Sequence, residues 1–155
     1  MNPIDRLKAA GMSLPAVEDP AFNYLAFVEH QGVVWLAGQL AKVGGVVKHQ
    51  GQVPQVVSPE EAARQMGQCG LQAISRLNNA LGDLSRVERV LHMNAYVACA
   101  ADFDGISAIA DHASRVFIEA FGEAGRHPRS VLGVNRLPQN APVMIDLRVA
   151  VFEAG

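Results

Sequence analysis

Excess charge of either sign is missing from this sequence. Thirteen lysines and arginines stand against 15 aspartates and glutamates over 155 residues, a formal net charge of -2. A nucleic-acid-binding chain ordinarily carries a basic face that neutralises phosphates. No clustered run of Lys or Arg occurs here, so nucleic acid is not an expected partner. Cysteine is nearly absent too. Cys69 and Cys99 form no CxxC pair and read as two buried free thiols. His30, His49, His92 and His112 make no ligand spacing such as HxxxH, so no metal site is expected. There is no GxGxxG and no GxxxxGK[ST], which sets aside a phosphate-binding loop. No apolar run approaches the length of a membrane span. The start, Met1 to Lys8, lacks the apolar core of a signal peptide. These absences predict a soluble, cytoplasmic chain with no membrane partner.

What is present is a core. Half of the residues are apolar, and the length suits a single domain over residues 1–155. Residues 1–20 read as an extension. A short helical pattern (Ile4, Leu7, Ala9, Ala10) stops at Gly11, and a proline-bearing loop follows. Tyr24 to Glu29 and Val33 to Gln39 are apolar runs separated by His30-Gln31-Gly32, which predicts a β-hairpin. Trp35 should share a face with Val33 and Ala37, and Gly38 reads as a bulge or tight turn. Gly44-Gly45 turns into Val46-Val47, predicted as a short third strand.

Ser58-Pro59-Glu60-Glu61 opens a helix with a serine cap and a capping box. Met66, Cys69, Gly70, Ala73, Ile74, Leu77 and Leu81 form its buried stripe, and Gly82 closes it. Val87 to Val97 predicts a central strand buried on both faces, with His92 and Asn94 facing solvent or bonding locally. Asp102 or Asp104 is expected to cap a second helix, whose stripe runs from Ile106 to Phe121. Pro128 biases His127 toward an extended backbone. A strand from Ser130 to Asn135 follows, Leu137-Pro138 ends it, and Val143 to Phe152 forms the last strand. Strand runs plus two helices predict an α+β two-layer domain, a mixed sheet with both helices on one face.

Arg129 stands out because it sits at the mouth of a strand. A guanidinium on such rigid support can grip a carboxylate through two parallel hydrogen bonds. The plainer reading is a surface arginine paired with a local Asp or Glu. His127, two residues earlier, either titrates near neutrality or shapes the loop. Ser130 has no His/Asp arrangement visible in the sequence, so it is not read as a nucleophile.

The segment Gly125-Arg126-His127-Pro128-Arg129-Ser130-Val131-Leu132-Gly133-Val134, with Leu137-Pro138 and a second apolar strand behind it, resembles the signature of the RidA/YjgF family. That family was long described as endoribonuclease, and its better-understood members are imine/enamine deaminases. The resemblance runs from Asn23 to Val151. It implies a chorismate-mutase-like fold, a homotrimer with ligand clefts between subunits, and a small carboxylate-bearing metabolite as partner. It implies no cofactor and no metal. Arg129 matches the arginine that binds the substrate carboxylate. Tyr24 matches a tyrosine near the cleft, and Gly38 matches the glycine of a Ser-Gly-Gln motif, here Ala37-Gly38-Gln39. Ser130 adjoins Arg129, Val131 matches a position whose backbone N–H can contribute, and Asp111 falls near a family asparagine.

Besides Ala37 in place of the serine, the pattern breaks on the last strand. The last strand of the family reads apolar-Glu-apolar-Glu, and this chain has Val143-Met144-Ile145-Asp146. Met144 replaces the glutamate that orients the attacking water, and a thioether cannot handle a proton. Asp146 matches the second glutamate. It either substitutes as the catalytic acid or is a solvated carboxylate, and the second is the expected reading. Three functions therefore remain open: an imine/enamine deaminase acting on small 2-imino acids, a non-catalytic carboxylate binder, and, against the charge balance, an endoribonuclease.

Overall fold

A computed structural model describes all residues, 1–155. Its elements are α1 (Pro3–Ala9), β1 (Phe27–His30), β2 (Val33–Gln39), α2 (Pro59–Leu81), β3 (Val87–Ala98), α3 (Ile106–Phe121), β4 (Arg129–Val134) and β5 (Val143–Val151). The five strands form one sheet in the order β1-β2-β5-β3-β4. Only β3 and β4 pair in parallel, joined through α3. A parallel neighbour needs a crossover of this kind. The α+β architecture is as the sequence predicts.

Helices α2 and α3 cover one face of the sheet. Their stripes meet the odd-numbered residues of β5, all buried from Val143 to Val151, while the even-numbered ones are only half-buried. Met66, Ile74, Leu77 and Phe117 from the helices pack with Met93, Ile145 and Leu147 from the strands in this core. Each large side chain so buried contributes roughly 1.5–3 kcal/mol, so the helix layer holds the fold together. The other face carries no helix layer; only its end near Tyr96 and Met144 is covered, by a small cluster of Leu40, Val47, Ala98, Leu137 and Ala141. Val28, Trp35 and Leu132 lie there, 45%, 51% and 44% exposed.

That open face corrects one expectation. β3 is not buried on both sides: its positions toward the helices are closed, while His92, Asn94 and Tyr96 are half-exposed. Other local expectations also change. Val46-Val47 forms no sheet strand; Val46 makes only an isolated bridge with Val43 across the glycine turn. β1 starts at Phe27, later than Tyr24. Neither Asp102 nor Asp104 caps α3, whose N-cap is Gly105 with no side-chain bond. At α2, Ser58 accepts from the Glu61 N–H at 3.1 Å, but the Glu61 carboxylate turns to Arg64 instead of completing the box. Cys69 is fully buried, and its burial raises the thiol pKa; Cys99 is only half-buried. The register of β2 against β5 slips between Leu36 and Gln39, so Gly38 sits in a bulge, as expected.

Candidate functional site

Arg129 begins β4, an edge strand. It pairs with Met93, so it shares the helix-side face of the sheet. Its guanidinium reaches up to α3. Nη1 donates to Asp111 Oδ1 at 2.7 Å and to Ser114 Oγ at 2.9 Å, and Nη2 donates to the Ser107 carbonyl at 3.1 Å. Asp111 and Ser114 lie three residues apart on α3, one turn and one face. The arginine is thus paired with a local acid, as the plainer sequence reading had it. A guanidinium carries five N–H donors, and these three bonds leave the Nε–H and one N–H on Nη2 without an intramolecular partner. The two lie on neighbouring nitrogens, the spacing that a carboxylate accepts bidentately.

His127 completes the cluster. Its Nε2 lies 3.0 Å from Ser114 Oγ and its Nδ1 2.6 Å from the Gly125 carbonyl, with the Phe117 ring edge-on at 5.7 Å. Burial holds the imidazole below its ordinary pKa, and the charges of Arg129 and His92 push the same way; the Gly125 bond opposes them. His127 is therefore neutral at neutral pH. Ser114, 9% exposed, is the member that sequence reasoning missed. Its signal was a polar residue breaking the apolar stripe between Ala113 and Val116.

Asp146 and Met144 occupy the opposite face. Asp146 accepts from Asn94 Nδ2 at 2.9 Å and from the Tyr96 hydroxyl at 2.8 Å. Burial and that carboxylate raise the Tyr96 pKa, so the phenol keeps its proton and donates it. This corrects the solvated-carboxylate expectation. Asp146 is half-buried and both of its oxygens are engaged, by partners on β3 about fifty residues away in sequence. It also corrects the expectation for Asn94, whose bond is cross-strand. His92 lies beside Arg148, 3.3 Å from Nδ1 to Nη1, and the Arg148 guanidinium stacks over Trp35 at 4.8 Å.

The residues predicted for one site are therefore distributed. Arg129 and Val131 face the helices, while Ser130 shares the open face with Asn94 and Asp146. Gly38 and Met144 touch each other across β2 and β5. Tyr24 precedes β1, at the far edge of the sheet and 55% exposed. Four strand spacings separate the two edges, about 19 Å, so one chain does not bring Tyr24 to Arg129. An open groove of about 510 Å³ lies at the C-terminal ends of β3 and β4, lined by Cys99, Phe103, Ile106 and Val134 among others. No group of three or more His, Cys, Asp and Glu side chains is placed to hold a metal ion. No helix is long and apolar enough to cross a membrane.

A mixed five-stranded sheet with two helices on one face, and an arginine opening an edge strand before Leu-Pro, define a chorismate-mutase-like α+β protein. Residues 4–151 match the family model described as YjgF/chorismate mutase-like, putative endoribonuclease, and the chain belongs to this RidA/YjgF family. It is 38% identical over 146 residues to Protein TCP17 of Trypanosoma cruzi, covering 92% of this chain and 90% of that one. Among solved structures it resembles Atu1372 from Agrobacterium tumefaciens, at 32% identity and TM-score 0.88, with 96% and 91% of the two chains covered. A protein described as a putative endoribonuclease from Shewanella oneidensis superposes with TM-score 0.93 at 28% identity, over 97% and 100% of the chains.

Proposed function

We propose that the protein is an imine deaminase of the RidA type, acting in the cytoplasm on small 2-imino acids at clefts between the subunits of a homotrimer. The observation that carries this reading is the half-used guanidinium of Arg129. Three of its N–H groups are spent on Asp111, Ser114 and Ser107, which immobilise it, and two remain for a ligand carboxylate. Orientation arranged before the ligand arrives is what a positioning site needs. The trimer is supported by two features. The open sheet face exposes Val28, Trp35 and Leu132, and the Tyr24 and Arg129 edges are too far apart to share a cleft within one chain.

In this mechanism Arg129 holds the carboxylate and the imine carbon faces a bound water. The water oxygen bonds to that carbon, the C=N π electrons move to nitrogen, and the nitrogen takes a proton. The resulting carbinolamine loses ammonia as its C–N bond breaks and its hydroxyl proton leaves, giving the 2-keto acid. Water is consumed and ammonia released, with no redox change. Backbone N–H groups near Val131 and Gly38, the phenol of Tyr24, and the neighbouring Ser130 line the same cleft in this reading.

A second reading is a carboxylate-binding protein without hydrolysis. Met144 and Asp146 favour it, since the first cannot orient a water for proton transfer and the second has both oxygens occupied. Endoribonuclease activity, the family's older description, has neither a basic face nor excess positive charge behind it. The deciding experiment is ammonia release from freshly generated 2-iminobutanoate and 2-iminopropionate by wild type, Arg129→Ala and Asp146→Asn. Release above the spontaneous rate, lost in Arg129→Ala, is the expected result. Wild-type release no faster than the spontaneous rate overturns the deaminase and leaves the binder.

A further inference from the structure

The bonds around Ser114 carry an inference that deepens the reading of Arg129 as a carboxylate clamp, and it rests on that reading. The Gly125 carbonyl can only accept, so the proton of neutral His127 sits on Nδ1, 2.6 Å away. Nε2 is then a lone pair, and the Ser114 hydroxyl 3.0 Å from it must donate. With its one proton committed to His127, the Ser114 oxygen turns its lone pairs to Arg129 Nη1 at 2.9 Å. Every direction in this chain is determined by the carbonyl at its end.

We propose that His127 and Ser114 are positioning residues for Arg129: neutral His127 orients the Ser114 hydroxyl to hold the guanidinium, and protonation of His127 releases it, so that carboxylate binding weakens in acid. When Nε2 gains a proton it becomes a donor aimed at Ser114 Oγ. That oxygen, on a residue only 9% exposed, would then be asked to accept from two cations at once. Two positive donors converging on one hydroxyl oxygen repel each other, so the bond to Arg129 weakens. His127 is anchored through Gly125 and packed against Phe117, whereas Arg129 is on a long side chain with Asp111 at the surface, 51% exposed, to follow.

The charged and titratable neighbours agree with that direction. Arg129 on β4 lies beside His127 and His92 on β3 acts from the other face of the sheet, and both oppose a second positive charge. α3 presents Ser114 and Phe117 to the ring, with Asp111 beyond Arg129 and bonded to it. Arg126, in the same loop, is 3.9 Å from Glu123.

The test uses the full-length protein and two independent readouts. The first needs no ligand: nitrogen NMR of the His127 ring and of Arg129 Nε–H is followed from about pH 7.5 to about pH 5. The expected result is an Nδ1–H tautomer at the upper end, and an Arg129 signal that broadens with the same midpoint as the His127 titration. The second is calorimetric titration of 2-oxobutanoate, a stable keto acid. Wild type should bind about tenfold more weakly at the acid end, the size expected for one lost charge-assisted bond. Ser114→Ala should bind weakly throughout and lose the acid step, while a hydroxyl-bearing Ser114→Thr recovers part of it. An Arg129 signal indifferent to His127 titration overturns the proposal. So does a folded Ser114→Ala that keeps wild-type affinity and acid step, or a wild-type affinity that rises in acid. If Ser114→Ala does not fold, the wild-type NMR titration decides alone. Coupled NMR transitions with no binding of 2-oxobutanoate support the relay while counting against Arg129 as a keto-acid or imino-acid clamp.

Discussion

Met144 stands directly against Gly38: a Cβ built on Gly38 would lie 2.7 Å from Met144 Sδ and 3.3 Å from its Cε. Met144, which stands where the resemblance implies a glutamate, thus fills the space above Gly38. Both sit on the open side of the sheet, away from the helix layer that carries the stability.

Gly38→Ala therefore collides with the end of a flexible side chain and not with backbone. The expected cost is about 1 kcal/mol, at the low end for overpacking. Urea unfolding of Gly38→Ala, Met144→Ala and the double variant measures it. The coupling between the two should be favourable, because Met144→Ala removes the atoms that the new Cβ meets.

Met144→Glu tests whether the missing acid limits hydrolysis. Its carboxylate would stand beside Gly38 and two residues from Asp146, half-buried on the same face. Ammonia release from 2-iminobutanoate should rise at least about tenfold, less than the full effect of an optimally placed acid or base. An unchanged rate, with the fold intact, shows that an acid at this position does not limit hydrolysis.

Arg129→Lys should lose carboxylate binding almost as fully as Arg129→Ala. A lysine has a single ammonium on a flexible stem and cannot serve Asp111, Ser114 and the Ser107 carbonyl while offering a fork to a ligand. Thermal stability should fall only modestly, since a pair with so exposed an acid contributes at most about 1 kcal/mol. A lysine variant with wild-type ammonia release counts against bidentate recognition.

His127 makes folding stability depend on pH. Its folded pKa is lowered, chiefly by burial, so below its ordinary value the unfolded chain binds more protons than the folded one. Its share of stability is complete above the unfolded pKa of about 6.5 and declines as pH falls from there through the folded value. Melting temperatures of wild type and His127→Asn across this range should converge on the acid side. Parallel curves would show that the ring titrates alike in both states.

Trp35→Glu addresses assembly. Trp35 is half-exposed on the uncovered sheet face, stacked only by Arg148. In an isolated chain its replacement removes little from the core. In a trimer closed through that face it would bury a carboxylate. Sedimentation should give a trimer for wild type and a monomer, or a much weaker trimer, for Trp35→Glu.

Periodicity located both long helices and four of the five strands nearly to the residue, because their apolar faces are regular and Ser58, Gly82 and Gly122 punctuate them. The failures were places where two local signals competed. Val46-Val47 has strand composition but pairs only across its own glycine turn, and Asp102 and Asp104 have capping chemistry but stand before a turn that Gly105 completes. β3 read as buried on both faces because its alternation is imperfect, and only the tertiary structure reveals that the helices cover one face and leave the other half-exposed.

The sequence by itself determined the fold class and the helix-facing core, since both follow from residue type and spacing along the chain, and its resemblance to the family singled out Arg129. It also identified Met144 as a departure from the family, because the motif around it is continuous. Only the tertiary structure decided what surrounds these residues. Asp111 and Ser114 meet Arg129 because α3 crosses over β4, and Asn94 and Tyr96 engage Asp146 because β3 and β5 are paired. A local pattern records which face a side chain takes; which distant groups share that face depends on strand order and helix placement, set by packing of the whole chain.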